Sequence, residues 1–246
     1  MKRMSCALLL VLLALACKHN ELTNANAMVN KSIEVSGGAR FKQAIIDFDF
    51  RDRHYKAIRN KGYYELMRTT IQEQDTIVDT LNSHGEFSRF INQEEVVLHD
   101  TIAAKYISSV NAVHYFSVLP YGLNDAAVNK FYLGKAKVKN SEYYKIKVTF
   151  DEEGGGEDYD DVFVYWINTE TYKADYLAYS YAESDGTGYR FREAYNERYV
   201  EGIRFVDYNN YKPRTNTVKV ENLDRLFKQG ELKLLSKIEL KGISVN

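Results

Sequence analysis

Between residues 189 and 199 the side chains alternate with a period of two. Tyr189, Phe191, Tyr195 and Tyr199 fall on one parity, and Arg190, Arg192, Asn196 and Arg198 on the other. Successive side chains of a β-strand point to opposite faces, whereas a helix repeats every three to four residues. The run therefore predicts antiparallel sheet with an aromatic face and a charged face. The flanking runs 162–168, 172–182 and 203–211 are of strand length and separated by short polar turns, so 161–211 reads as a β-meander.

The same rhythm recurs upstream. Ala44, Ile46, Phe48 and Phe50 alternate with Asp47, Asp49 and Arg51, and strand-length runs follow at 53–59, 62–71, 76–81, 86–91 and 94–98. Asn60-Lys61-Gly62 and Asn82-Ser83-His84-Gly85 carry the Asn/Gly chemistry of hairpin turns. A further hairpin is expected over 131–138 and 142–150, and alternation returns in 231–245.

Two long stretches break the rhythm. In 25–35 the apolar residues suit a short amphipathic helix stopped by Gly37-Gly38. In 100–116, Ile102, Ala103, Tyr106, Ile107, Val110, Val113 and His114 follow a helical period, with Asp100 placed to cap it. A small helix over 222–229 closes at Gly230. The expected fold is mainly β: a curved antiparallel meander of about eleven strands, unclosed and covered by one N-terminal and one central helix. No Pro/Ser-rich linker divides 25–246, which reads as one domain.

The first 24 residues read differently. Lys2 and Arg3 precede an apolar run of nine residues, Ala7 to Leu15, too short for a bilayer that needs about 20. A charged start, a short apolar centre and small residues before Cys17 mark residues 1–16 as an export signal. Cys6 leaves with it, so the mature chain keeps Cys17 alone, with no disulfide partner. Ala14-Leu15-Ala16-Cys17 resembles a bacterial lipobox, with Ala14 where Leu is usual. The resemblance implies a diacylglyceryl anchor (palmitate) on Cys17, a tether over 17–24, and, with Lys18 following, sorting to the outer membrane. Whether the domain faces the periplasm or the outside stays open.

The net charge of −1, or −3 once Lys2 and Arg3 are lost, gives no footprint for a nucleic-acid partner. The acidic loop 151–161 holds seven carboxylates and three glycines, of which Asp158, Asp160 and Asp161 are the candidate cation ligands; their spacing matches no ordered calcium loop, and a plain acidic turn is the competing reading. The five histidines, at 19, 54, 84, 99 and 114, show no metal-ligand spacing, and His114 reads as a core or boundary residue. Gly186-Thr187-Gly188 precedes a strand rather than a helix and is no phosphate cradle. No cofactor and no catalytic residue is nominated. Arg190, Arg192 and Arg198 could grip an anion or pair across strands.

The chain holds 20 Tyr and 12 Phe against a single Trp. Such residues either fill the core beneath the helices or line a cavity there. On the second reading the lining comprises Phe163, Tyr165, Trp166, Tyr176, Tyr189, Phe191, Tyr195 and Tyr106.

The stretches 154–158, 161–166, 175–181, 190–192 and 207–211, together with the lipobox, resemble a family of uncharacterised bacterial outer-membrane lipoproteins with a domain of unknown function. In element order the chain is also similar to the LolA-like lipoprotein carriers. That resemblance implies an unclosed barrel with helices over an apolar cup that carries or senses acyl chains. The expectation is a monomeric envelope lipoprotein that meets the membrane through its lipid and binds a lipid or lipoprotein acyl chain. An interaction module without a small ligand and a carbohydrate-active enzyme, which would need two converging acids, are the alternatives.

Overall fold

The structure, a computed structural model, describes residues 25–156, 159–183, 186–215 and 217–246. The expected signal segment 1–16, Cys17 and the expected tether 17–24 lie outside them. In chain order the strands are β1 (Ile45–Phe50), β2 (Arg53–Asn60), β3 (Tyr63–Gln72), β4 (Asp75–Asn82), β5 (Phe87–Ile91), β6 (Glu94–Glu95) and β7 (Val128–Val138). They continue as β8 (Ser141–Phe150), β9 (Val162–Asn168), β10 (Ala174–Glu183), β11 (Gly186–Val200), β12 (Ile203–Pro213), β13 (Leu232–Ile238) and β14 (Lys241–Val245). The helices are α1 (25–36), α2 (Asp100–Ser117) and α3 (Leu223–Gln229).

The protein is thus mainly β, with a few helices and two unclosed antiparallel sheets of seven strands each. The orders are β14-β1-β2-β3-β4-β5-β6 and β13-β12-β11-β10-β9-β8-β7. Within each sheet sequential strands are neighbours, as a meander requires. The one exception is β14, which returns to pair with β1 through Ile46 and Val245.

Helix boundaries follow their punctuation. Helix α1 buries Ala25, Val29, Ser32 and Ser36 along one stripe and gives way at Gly37, whose φ of 143° and close approach to Phe41 and Ile203 leave no room for a Cβ. Gly230 ends α3 in the left-handed region, its amide donating to Leu226 and Phe227 carbonyls. At α2 the cap is His99 rather than the expected Asp100: its ring accepts from the Thr101 amide at 3.4 Å, and Asp100 sits in the first turn.

The chain forms two compact units that interleave along the sequence. The first takes the described residues up to Ser32, Asn124–Phe191 and Tyr211–Lys233. Its core joins Val164, Trp166, Tyr176, Ala178 and Phe191 of the strands to Leu223, Leu226 and Phe227 of α3. The second takes Ile33–Leu123, Arg192–Asn210 and Leu234–Asn246. There Phe41, Ile46, Phe48, Tyr55, Ile203 and Phe205 form one cluster, and Ala57, Leu66, Leu81 and Val110 of α2 form another.

The two-faced pattern does not hold everywhere. Val164 and Trp166 alternate along β9 with Phe163, Tyr165 and Ile167, and both sets are buried. A central strand covered on both sides has no solvated face to mark with charge. In β12, Arg204 and Asp207 are buried as well, Arg204 donating to Glu197 at 2.6 Å. Asp207 accepts from Asn196 at 2.6 Å, Arg198 at 2.9 Å and the Leu240 amide at 3.0 Å. Charges expected in water are satisfied inside instead.

Candidate functional site

Three adjacent strands of the second unit place charge on the parity that otherwise builds the core. Arg68 of β3 stands opposite Asp79 of β4, which stands opposite Arg89 of β5. The next position along the same face holds Leu66, Leu81 and Phe87. Beyond the charges come Thr70, Ile77 and Ile91.

Asp79 is 1% exposed and is shared between the two guanidinium groups. Arg68 donates Nε at 3.0 Å and Nη2 at 2.5 Å to Oδ2. Arg89 donates Nε at 2.7 Å to Oδ1 and Nη2 at 3.0 Å to Oδ2, a two-pronged grip. From α2, Ser109 accepts from Arg68 Nη1 at 2.8 Å, and the Tyr106 ring lies 3.5 Å from the Arg89 guanidinium. Burial works against the charge of Arg89. Its contacts with Asp79 and Tyr106 outweigh that, and its pKa stands above the ordinary arginine value.

Beside this triad a cleft of about 340 Å³ opens between α2 and the sheet. Its walls include Arg53, Arg68, Arg89 and Lys105, with Ile77 and Tyr106 as apolar surface. Deeper under α2, His114 is 1% exposed and donates Nε2–H to the Met67 carbonyl at 3.0 Å, while Nδ1 has no hydrogen-bond partner. Burial, with the charges of Arg59 and Arg68 adding to it and the Met67 bond opposing, lowers its pKa to about 4.

A family of unknown function, DUF6503, matches residues 2–240. The chain belongs to this family. No curated protein matches it. Among solved structures it is similar to a LolA superfamily protein from Nitrosomonas europaea, at 9% identity over 90% of this chain and 91% of that one, with a TM-score of 0.48. It is also similar to a DUF1329 family protein from Desulfovibrio piger, at 11% identity over 91% and 92% of the two chains and a TM-score of 0.43. A Vibrio parahaemolyticus domain named for outer-membrane lipoprotein sorting follows at 9% identity over 89% and 92%, with a TM-score of 0.40.

Of the aromatic residues picked from sequence, Tyr106 lines the cleft. Trp166, Tyr176 and Phe191 meet in the core of the first unit, with Tyr189 packed against them. Phe163 and Tyr165 belong to the opposite face of the same strands, opposite Tyr179 and Leu177. Tyr195 lies in the second unit, where burial and its 2.7 Å bond to Glu239 push its hydroxyl up to about 12.

The three arginines of β11 do not converge. Arg190 lies over the Tyr181 ring, Arg192 is buried 3.8 Å from the Phe116 ring, and Arg198 is tied to Asp207 and the Leu240 carbonyl. Asp158 of the acidic loop lies outside the described residues, Asp160 is exposed and Asp161 half-buried; among the described residues no three His, Cys, Asp or Glu side chains gather as metal ligands.

Arg53, Arg68, Asp79, Arg89 and Lys105 were not singled out by the sequence reading. A signal existed: three successive strands each carry one charge on their apolar parity, between Leu66 and Thr70, Ile77 and Leu81, and Phe87 and Ile91.

Proposed function

We propose that the protein is an outer-membrane lipoprotein, held in the cell envelope through acyl groups on Cys17, that binds an amphipathic ligand carrying an acyl chain. The ligand sits between the central helix and the sheet beneath it. The observation that carries this reading is the cleft beside Tyr106, whose wall combines Ile77 and a phenol ring with a row of cations. A volume of about 340 Å³ lies within the range of roughly 300–1,000 Å³ common to small-molecule sites. The lone cysteine at the end of an export-type leader supplies the anchor, since a single acyl chain holds a membrane only marginally and a diacyl group holds it firmly.

The aromatic cluster of the first unit has a different part in this reading. Trp166, Tyr176 and Phe191 pack on one another with ring centroids 5.5 and 5.8 Å apart, and Phe227 of α3 closes over them. They give the fold its rigidity, and Tyr106 is the ring that meets the ligand.

Lipid extraction of the full chain purified from membranes, followed by mass spectrometry, should recover non-covalently bound acyl species. Tyr106→Asp should reduce their amount, and Cys17→Ala should move the protein out of the membrane fraction. Recovery of no acyl species from the wild type, or its persistence as a soluble protein without Cys17 lipidation, overturns the reading.

A further inference from the structure

The geometry points to the head of that ligand: we infer that the cleft beside α2 is an oxyanion site, built for a phosphate-type group at the end of an acyl chain. This rests on the amphipathic-ligand reading and goes beyond it by assigning the charge, the donors and the chemistry of the polar end.

The first ground is a charge surplus. Arg53, Arg68, Arg89 and Lys105 line the cleft, and no carboxylate is among its lining residues. Asp79 lies beneath them and is already divided between Arg68 and Arg89. Two cations therefore remain at the mouth. Lys105 is exposed and has no ion-pair partner among the described residues, and the acid beside Arg53 is Asp52 at 4.0 Å, itself 78% exposed. Like charges gathered on one wall raise the local potential and draw an anion.

The second ground is rigidity. Asp79 pins both guanidinium groups, Ser109 holds Arg68 from the helix, and the Tyr106 ring centroid lies 3.5 Å from the Arg89 guanidinium carbon. Side chains locked in this way give up little freedom when a ligand arrives. Thr70 and Gln72 add neutral hydrogen-bonding groups to the same wall. Planar guanidinium groups match the oxygens of a phosphate more closely than they match a hydroxyl or an ester.

Calorimetric titration of the full chain with three probes tests the assignment: inorganic phosphate, dodecyl phosphate below its micelle concentration, and uncharged glycerol monolaurate. The comparison variant is Arg53→Gln with Lys105→Gln, which leaves the Arg68–Asp79–Arg89 frame in place; an unchanged melting temperature checks that it folds. Dodecyl phosphate is expected to bind at least tenfold more tightly than glycerol monolaurate. That preference should fall at least tenfold in the double variant and weaken as salt is raised. Equal binding of the two lipids, unaltered in the variant, overturns the oxyanion assignment and leaves the amphipathic-ligand reading standing. Inorganic phosphate binding as tightly as dodecyl phosphate supports the oxyanion site and overturns the acyl-chain reading. Failure of all three probes to bind overturns both.

Discussion

Helices α3 and α2 each cover strands of their own unit, and what lies beneath them differs. Under α3 the contacts are rings: Phe227 sits 4.9 Å from Phe191 and 5.4 Å from Tyr211, with Tyr176 and Trp166 alongside. One cation there, Lys145, is matched by Asp224 at 3.1 Å, by the Glu221 carbonyl and by the Trp166 ring. Under α2 only part of the surface is apolar, around Ala57, Leu66, Leu81 and Val110. The remainder holds two arginines for one carboxylate, and an opening lined by two further cations. A buried charge with its match belongs to a core. A rigid surplus of one sign beside an opening leaves room for a partner of the other sign.

The largest expected effects test each side of this contrast. Phe191→Ala should leave a cavity under α3 and lower stability by about 3–5 kcal/mol in urea denaturation, without altering probe binding at the cleft. Asp79→Ala should destabilise by about 3 kcal/mol, for the opposite reason: it strands the buried Arg68 guanidinium and the half-buried one of Arg89. If Asp79→Ala were as mild as a surface change, the triad would not be the rigid frame described.

Next comes pH. His114 titrates at about 4 when folded against an ordinary value near 6.5, so the unfolded chain takes up its proton first. Its contribution is fully present above about pH 6.5 and is lost as pH falls toward 4, on the order of 3 kcal/mol in all. Urea midpoints from pH 7 to pH 4 should fall more steeply for the wild type than for His114→Gln.

Smaller effects separate stability from binding. Tyr106→Leu removes the ring over Arg89 and should cost about 0.5–2 kcal/mol of stability while weakening dodecyl phosphate. Lys105→Gln alone should change stability by no more than about 0.5 kcal/mol, so any loss of anion binding in it reports on the ligand.

Much of the fold was legible because period-two patterning and turn chemistry are local. The 25–36 and Asp100–Ser117 helices stand within a residue or two of where the periodicity put them, and the Gly37 and Gly230 stops act as read. The described residues hold fourteen strands against about eleven expected, and one of the additional strands arises because the stretch after residue 231 breaks into two that join different sheets. The cap of α2 moved by one residue, since a histidine ring can accept from a helix amide as an acid can.

The site was harder to read. Tyr106 could be named because it lies on the inward stripe of an evident helix. Arg68, Asp79 and Arg89 lie 11 and 10 residues apart in sequence and become neighbours only through the register of two hairpins. The aromatic parity of β11 was also a poor guide to charge, since Arg192 is as buried as a core residue and lies against Phe116.

By itself the sequence determined which stretches become strand or helix, because alternation and capping act over a few residues and need no distant partner. It also determined that the only two cysteines, Cys6 and Cys17, both precede residue 25. Only the tertiary structure decided which faces are covered on both sides and which arginines share a carboxylate. Those are matters of strand register and through-space distance, and in a chain with 33 basic and 34 acidic residues composition alone cannot rank them.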